Sequence, residues 1–238
     1  MQFYSTITAI RQLSPKVKAF VLDYDKQDFT YHPGQWVDIH LTIDDETHNC
    51  GYSITSIPSD KNSIEIAVKL APDLALTEQL HKHCKIGDQI FISKAQGKVY
   101  LTNDFSGPHV FIAGGVGITP LYSMIQFILD NKPDTPITLL YSITTPEEFL
   151  FETEIRNLEQ THPDFRCYVT VTRTTTTNGK FNGRIGKSIL TAVNLPKKAN
   201  YYLCGPPSMV DNVAGLLEEL QTELSITKDN VHYDKWWS

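Results

Sequence analysis

The 238-residue chain is poor in cysteine, and its four cysteines, Cys50, Cys84, Cys167 and Cys204, lie far apart in sequence. That spacing excludes a CxxC zinc pair and a ferredoxin-type cluster. Free thiols in a reducing, cytoplasmic compartment are the simplest expectation. Positive charge is in deficit: 21 Lys and Arg stand against 27 Asp and Glu, a net charge of −6. General nucleic-acid binders carry a basic face, so no nucleic-acid partner is expected. The opening MQFYSTITAIRQL has neither a continuous apolar core nor a small-residue cleavage pattern, and no secretory signal is read there. The longest apolar stretch runs from Val110 to Leu129, but Gly114, Gly115, Gly117 and Pro120 punctuate it. Strand, turn and helix account for it better than a membrane span, and none is expected. The segment HKHC at 81–84 is too compressed to form one metal site, and no partner ligands follow nearby. No Ser-His-Asp pattern has the context that hydrolysis needs. No internal repeat is present, and the biased run Thr174–Thr177 is too short to be more than a loop.

What is there falls into two halves. Up to about Thr102, short alternating segments read as strands: Phe3–Ile10, Val17–Leu22, Gln35–Leu41, Tyr52–Ile57, Ile64–Leu70 and Gln89–Ile92. Turn residues such as Pro33-Gly34 and Gly87-Asp88 separate them, which suggests an all-β antiparallel barrel. One helical stretch, Leu74–His83, puts Leu76, Leu80 and His83 on one face. After Asp104 strands and helices alternate. Strands are expected at His109–Ala113, Pro136–Ser142, Arg166–Thr172, Asn200–Cys204 and Val231–Tyr233. Helices are expected at Pro120–Asn131, Glu147–Gln160, Lys187–Ala192 and from Pro207 to Glu223. Such alternation predicts an α/β domain with a parallel sheet, which binds ligands at the carboxyl ends of its strands. The boundary is set between residues 103 and 104.

The strongest local signal is FIAGGVGITPLYSM. A strand ends at Ala113. Gly114, Gly115 and Gly117 then permit a tight turn and close approach of a ligand. Thr119 can cap the following helix, and Pro120 suits its first turn. Free N–H groups at such a turn, with the helix dipole behind them, attract a diphosphate. Pro120 stands where the last glycine of G-x-G-x-x-G would be, so the alternative is a plain strand–helix turn. A second signal is YYLCGPPSMVDNV, in which a strand ends at Cys204-Gly205-Pro206. If this strand lies beside the first, the two turns face one crevice and form a dinucleotide site.

With these motifs the chain resembles the ferredoxin–NADP reductase superfamily over nearly its whole length. HPGQW (32–36), GYSITS (51–56), IGDQI (86–90), GGVGITP (114–120), LLYSITTPEEFLF (139–151), VTR (171–173), GRIG (183–186), CGPPSM (204–209) and HYDKWW (232–237) come in the family order. The ending and the CGYSI variant are similar to the oxidoreductase NAD-binding domain-containing protein 1 branch. The resemblance implies an FAD-binding barrel at 1–103 and an NAD(P)-binding α/β domain at 104–238. It implies an NAD(P)H-dependent flavin oxidoreductase, with NADH or NADPH as donor and an external electron acceptor.

By resemblance, Tyr52 lies against the flavin ring and Ser53 bonds near its N5. Asp234 relays a proton, Trp236 covers the ring, and Cys204 sits near nicotinamide. Trp36, Thr55, Lys69 and Thr77 join the flavin site, and Gly114, Gly115, Gly117, Thr119, Pro120, Gly205 and Pro206 the nucleotide site. Arg173 is a candidate 2′-phosphate contact and Arg184 a further nucleotide contact. Two departures stand out. Cys50 occupies the place of the family's phosphate-binding arginine, and Leu74 that of a glycine opening the barrel helix. Loss of a charge-assisted contact of this kind costs about 1.5–3 kcal/mol. The implied flavin is therefore FAD held weakly, FMN, or free flavin. Thr144 stands where relatives with arginine bind the 2′-phosphate, which tilts the expectation to NADH. The alternative to an enzyme is a non-catalytic NAD(P)-binding regulatory or subunit module whose barrel has lost flavin.

Overall fold

A computed structural model describes residues 2–24, 28–59, 62–102, 105–173 and 181–235. The chain forms two compact units, Met1–Asn103 with Tyr122–Phe127, and Asp104–Leu121 with Ile128–Ser238.

The first unit is a six-stranded antiparallel barrel. Its strands are β1 (Gln2–Ser14), β2 (Val17–Asp23), β3 (Trp36–Ile43), β4 (Glu46–Ser53), β5 (Ser63–Lys69) and β6 (Gln89–Ser93), ordered β4-β3-β6-β1-β2-β5. A bridge between Ile54 and Ile66 brings the ends of the order together. β1 makes the closure possible. Phe3, Ser5 and Ile7 alternate inward, then the register with β2 shifts between Ile7 and Ala9. Such a bulge bends a strand, so the first half of β1 pairs with β6 and the second with β2. Phe20, Leu22, Val37, Ile39, Ile64, Ile66 and Ile92 fill the interior. Burying each contributes about 1.5–3 kcal/mol.

The fourth strand departs from the expected Tyr52–Ile57. It begins at Glu46 and stops at Ser53, because Asp44 and Asp45 form a two-residue turn with φ of 50° and 63°. Both positive angles suit a type I′ hairpin, and aspartate tolerates them without the usual Asn-Gly signature. Helix α1 (Ala75–Lys82) also ends sooner than expected, so His83 leaves its face and is exposed. His81 takes the inner position instead, its ring 2.9 Å from the Val68 carbonyl oxygen.

The second unit is a parallel sheet. Its strands are β7 (His109–Gly114), β8 (Ile137–Ile143), β9 (Phe165–Val171), β10 (Phe181–Asn182), β11 (Asn200–Gly205) and β12 (Val231–Lys235). Their order is β10-β9-β8-β7-β11-β12. The chain winds outward from β7 to β10, then crosses to the other side of β7. The junction of β7 and β11 is thus the topological switch point, where open α/β sheets bind ligands. The helices are α2 (Ile118–Asn131), whose middle stretch Tyr122–Phe127 counts with the first unit, α3 (Glu152–Thr161), α4 (Lys187–Val193), α5 (Pro207–Glu219) and α6 (Gln221–Leu224). The helix expected from Glu147 starts only at Glu152. Phe149, Leu150 and Phe151 are all buried, and Phe151 adopts φ of 57°. Turning three successive apolar side chains into the core interrupts helical geometry. The helix expected to run to Glu223 breaks after Glu219 into α5 and α6. No helix among the described residues is long and apolar enough to cross a membrane.

One core residue is out of place chemically. His109 is fully buried, and neither ring nitrogen has a hydrogen-bond partner. It packs among Phe105, Phe111 and Tyr202. Burial, with the Lys132 charge adding, lowers its pKa to about 4. The unfolded chain therefore binds the extra proton first, and stability falls as pH drops from about 6.5 towards 4. The full loss is about 3 kcal/mol. His109→Phe should raise the urea midpoint at pH 5 and flatten its pH dependence across that window. An unchanged slope would show that His109 is not the titrating group.

Candidate functional site

In the barrel, β3 and β4 set the candidate flavin residues in register. Trp36 pairs with Ser53, Val37 with Tyr52, and Ile39 with Cys50. The two-residue period of a strand puts Cys50 and Tyr52 on one face and Ser53 on the other, beside Trp36. The Trp36 indole lies against Gly51 and Gly97, where an added Cβ would approach within 3.0 and 3.1 Å. Tyr52 joins the barrel's core cluster and Cys50 packs against it. Burial first, and then Cys50, push the Tyr52 phenol far above its ordinary range. Ser53 Oγ is buried with no hydrogen-bond partner, and buried Tyr52 Oη has only the Cys50 thiol beside it. Buried polar atoms in native proteins are nearly always paired, so an orphan on each face of the strand's end fits a ligand with polar atoms, Ser53 Oγ being the one beside the Trp36 indole. A flavin ring is such a ligand.

The other barrel candidates are engaged or exposed. Thr55 Oγ1 donates to Glu65 Oε1 at 2.9 Å. Thr77 Oγ1 accepts from the Ala71 amide at 3.0 Å and lies within bonding distance of the Ala71 and Leu74 carbonyls. Its hydroxyl closes the 71–77 turn. Leu74 occupies the N-cap of α1, is half exposed and offers no side-chain cap. Lys69 ends β5 in solvent.

In the second unit, the two turns meet at the switch point. β7 and β11 pair in parallel, Ala113 opposite Cys204. Gly115–Gly117 forms a 3₁₀ turn that runs straight into α2. Gly115 has φ of 53° with open space around its Cα, while Gly117 touches the neighbouring turn. A Cβ at Gly117 would sit 2.3 Å from the Cys204 carbonyl oxygen. Tyr141 Oη donates to the Gly115 carbonyl at 2.9 Å and fixes the turn from below. Because the turn is already helical, α2 begins at Ile118 and Gly117 is its cap. Thr119 is therefore not the cap residue. Its hydroxyl donates back to the Val116 carbonyl at 2.8 Å, and Pro120 is the third helical residue. The leading amides of the 3₁₀ turn lack intrahelical acceptors and form the positive end of the dipole, while the Ile118 amide already donates back to the turn's carbonyls. An open glycine with free amides fits a diphosphate cradle.

The remaining candidates lie along the same carboxyl edge. Gly205 and Pro206 continue from Cys204, with Pro206 capping α5. Asp234 pairs in register with Cys204, and burial raises its carboxyl pKa, partly offset by the Lys235 backbone. Arg173 is exposed after β9, its amide donating to the Thr144 carbonyl at 3.1 Å. Arg184 is exposed after β10. Trp236 lies outside the described residues, as does the Thr174–Thr177 loop. Sequence reasoning missed Met209 and Tyr141. Met209 fills the notch between the turns, its sulfur 2.7 Å from where a Gly114 Cβ would be. Nothing in the spacing of either residue announced the contact.

Residues 5–100 match the oxidoreductase FAD-binding domain family, and residues 111–215 the oxidoreductase NAD-binding domain family. Two cofactor domains in series define a flavin- and nicotinamide-dependent oxidoreductase of ferredoxin reductase-like type. The chain is 30% identical to oxidoreductase NAD-binding domain-containing protein 1 of Danio rerio, covering 99% of this chain and 92% of that one. It is 26% identical to the propane 2-monooxygenase reductase component of Mycolicibacterium smegmatis, covering 97% of this chain and 67% of that one. In structure it superposes on a ferredoxin NADP+ reductase from Neisseria gonorrhoeae with bound FAD and NADP. The TM-score is 0.82 at 20% identity, over 99% of both chains. The chain belongs to the oxidoreductase NAD-binding domain-containing protein 1 family, as an NAD(P)H-dependent flavin oxidoreductase with the fold of ferredoxin NADP+ reductase.

Gly117→Ala should cost about 3 kcal/mol or more and abolish NADH binding, since backbone on both sides must move. Gly115→Ala meets open space and should cost only the left-handed backbone, about 1–2 kcal/mol. Urea unfolding with NADH fluorescence titration compares them. Equal losses would contradict the close contact at Gly117.

Proposed function

We propose that the chain transfers electrons from NADH, through a weakly held flavin, to a separate acceptor. The observation that carries this reading is the pair of orphaned buried atoms, Tyr52 Oη and Ser53 Oγ. When bound, the cofactors supply the chemistry, a hydride passing from nicotinamide C4 to flavin N5. The barrel's part, with 1–103 as its domain, is to orient the ring with Tyr52, Ser53 and Trp36. The part of 104–238 is to hold the diphosphate on the Gly115–Gly117 amides and the nicotinamide near Cys204. Asp234, its carboxyl pKa raised by burial, is the proton relay of this reading. Trp236 remains the candidate cover for the ring.

Weak retention of flavin follows from the phosphate end. Cys50 offers no charge, the Thr77 hydroxyl is occupied, and Lys69 is the one cation among the barrel candidates. Thr144 in place of a cation, with Glu147 and Glu148 following, favours NADH over the doubly charged 2′-phosphate of NADPH. The Mycolicibacterium relative is the reductase component of a monooxygenase, and a partner protein accepting electrons is the analogous reading here. Free thiols fit a cytoplasmic site of action.

The same poor phosphate end favours a second reading, an NAD(H)-binding module whose barrel no longer takes flavin. A titration separates them. Protein mixed with FAD or FMN should develop a bound-flavin spectrum that bleaches when NADH is added. NADH binding without flavin uptake would establish the second reading. Cys50 is half-buried, so arginine there can extend to solvent. Cys50→Arg should tighten FAD about 10–150-fold, the equivalent of about 1.5–3 kcal/mol, with little effect on riboflavin. Unchanged FAD affinity would move the diphosphate elsewhere.

A further inference from the structure

The loop that follows Ser53 is held by Thr55 together with Glu65, Ser56, Ser123 and Gln126, of which only Thr55 is a site candidate from the sequence. The Ile54 amide donates to the Gln35 carbonyl at 3.0 Å. The Thr55 amide donates to the Glu65 carbonyl at 2.7 Å, and its hydroxyl to the Glu65 carboxylate. Ser56 Oγ accepts from the Glu65 amide at 2.9 Å and lies 3.1 Å from Tyr31 Oη. The two remaining carbonyls are taken by the segment Tyr122–Phe127, which belongs to the same compact unit. Ser123 Oγ donates to the Ser56 carbonyl at 2.6 Å, and Gln126 Nε2 to the Thr55 carbonyl at 2.9 Å. Ser123 is fully buried and Thr55 nearly so. The contrast with the preceding two residues is sharp. Thr55 and Ser56 have their polar groups paired, while Ser53 Oγ has no partner and Tyr52 Oη only the Cys50 thiol beside it.

We propose that Ser123 and Gln126 are positioning residues for the flavin ring. They anchor the Thr55–Ser56 carbonyls so that the loop cannot turn back and satisfy Ser53 Oγ and Tyr52 Oη internally. An unanchored carbonyl in a buried loop seeks the nearest donor, and the Ser53 hydroxyl is one residue away from this loop. Holding both carbonyls elsewhere keeps the two hydroxyls available to a ligand. The role rests on the reading that Tyr52 and Ser53 meet the flavin, and the experiment separates the two.

The test titrates Ser123→Ala, Gln126→Met and Ser53→Ala with FAD. Flavin fluorescence quenching and the bound-flavin absorption are read alongside the melting temperature of the protein without flavin. Ser123→Ala removes one oxygen. Gln126→Met keeps the length of a half-buried side chain without its donor, and serves if the fully buried Ser123 proves essential for folding. Each should weaken FAD about 5–10-fold, the worth of one hydrogen bond, and shift the bound-flavin spectrum towards that of free FAD. A merely structural role would lower the melting temperature and leave affinity and spectrum of the folded protein unchanged. That outcome, with Ser53→Ala still weakening FAD, overturns the positioning role alone. If Ser53→Ala itself leaves FAD affinity unchanged, the ring does not sit at Ser53 and both ideas fall.

Discussion

The close approach of two backbones at the switch point governs the nucleotide half. Gly117 sits so near the Cys204 carbonyl that a single added carbon would overlap it. Such contact is possible because β7 and β11 are hydrogen-bonded neighbours whose carboxyl ends finish level, Ala113 opposite Cys204. From it follow the tight 3₁₀ turn, the immediate start of α2 and the alignment of free amides along one edge. Met209 and Tyr141 then secure the turns, one between them and one against the Gly115 carbonyl. Interactions of this kind are stiff, since close-packed atoms leave no room for a compromise geometry.

The barrel obeys a different constraint: among its described residues, the buried polar side chains are paired except at Tyr52 Oη and Ser53 Oγ. Thr77, Thr55 and Ser56 each spend their hydroxyls on local bonds. That economy gives α1 its entry turn and fixes the loop after β4. It also explains why the phosphate end looks poor. A hydroxyl that closes a turn is not available to a ligand, whatever the motif resembles.

Both domains, their order and the glycine turn were legible in the sequence because each rests on strong local signals. Strand alternation showed the barrel, and strand–helix alternation the parallel sheet. The failures have physical causes. The Asp44-Asp45 hairpin was invisible because aspartate adopts left-handed angles less often than Asn-Gly. The break before α3 was hidden because Phe149, Leu150 and Phe151 are compatible with a helix and are drawn inward by tertiary packing. His83 was misplaced by one turn end. Ser123, Gln126 and Met209 act across long sequence separations, and no period or spacing can announce such contacts.

The pairing of β1 bears on how the chain reaches this state. Gln2 pairs with Ser93, and His109 at the head of β7 pairs with Asn200. Each contact joins residues about ninety apart, and contacts of that span slow folding because the loop entropy is spent before they form. Neither unit can complete its sheet until its last strands exist. During synthesis, β1 must therefore wait, its Phe3 and Ile7 unburied, while most of the barrel is made. The alternating polar residues of β1, and the early arrival of β2 as a hairpin partner, shield that exposed edge in the meantime.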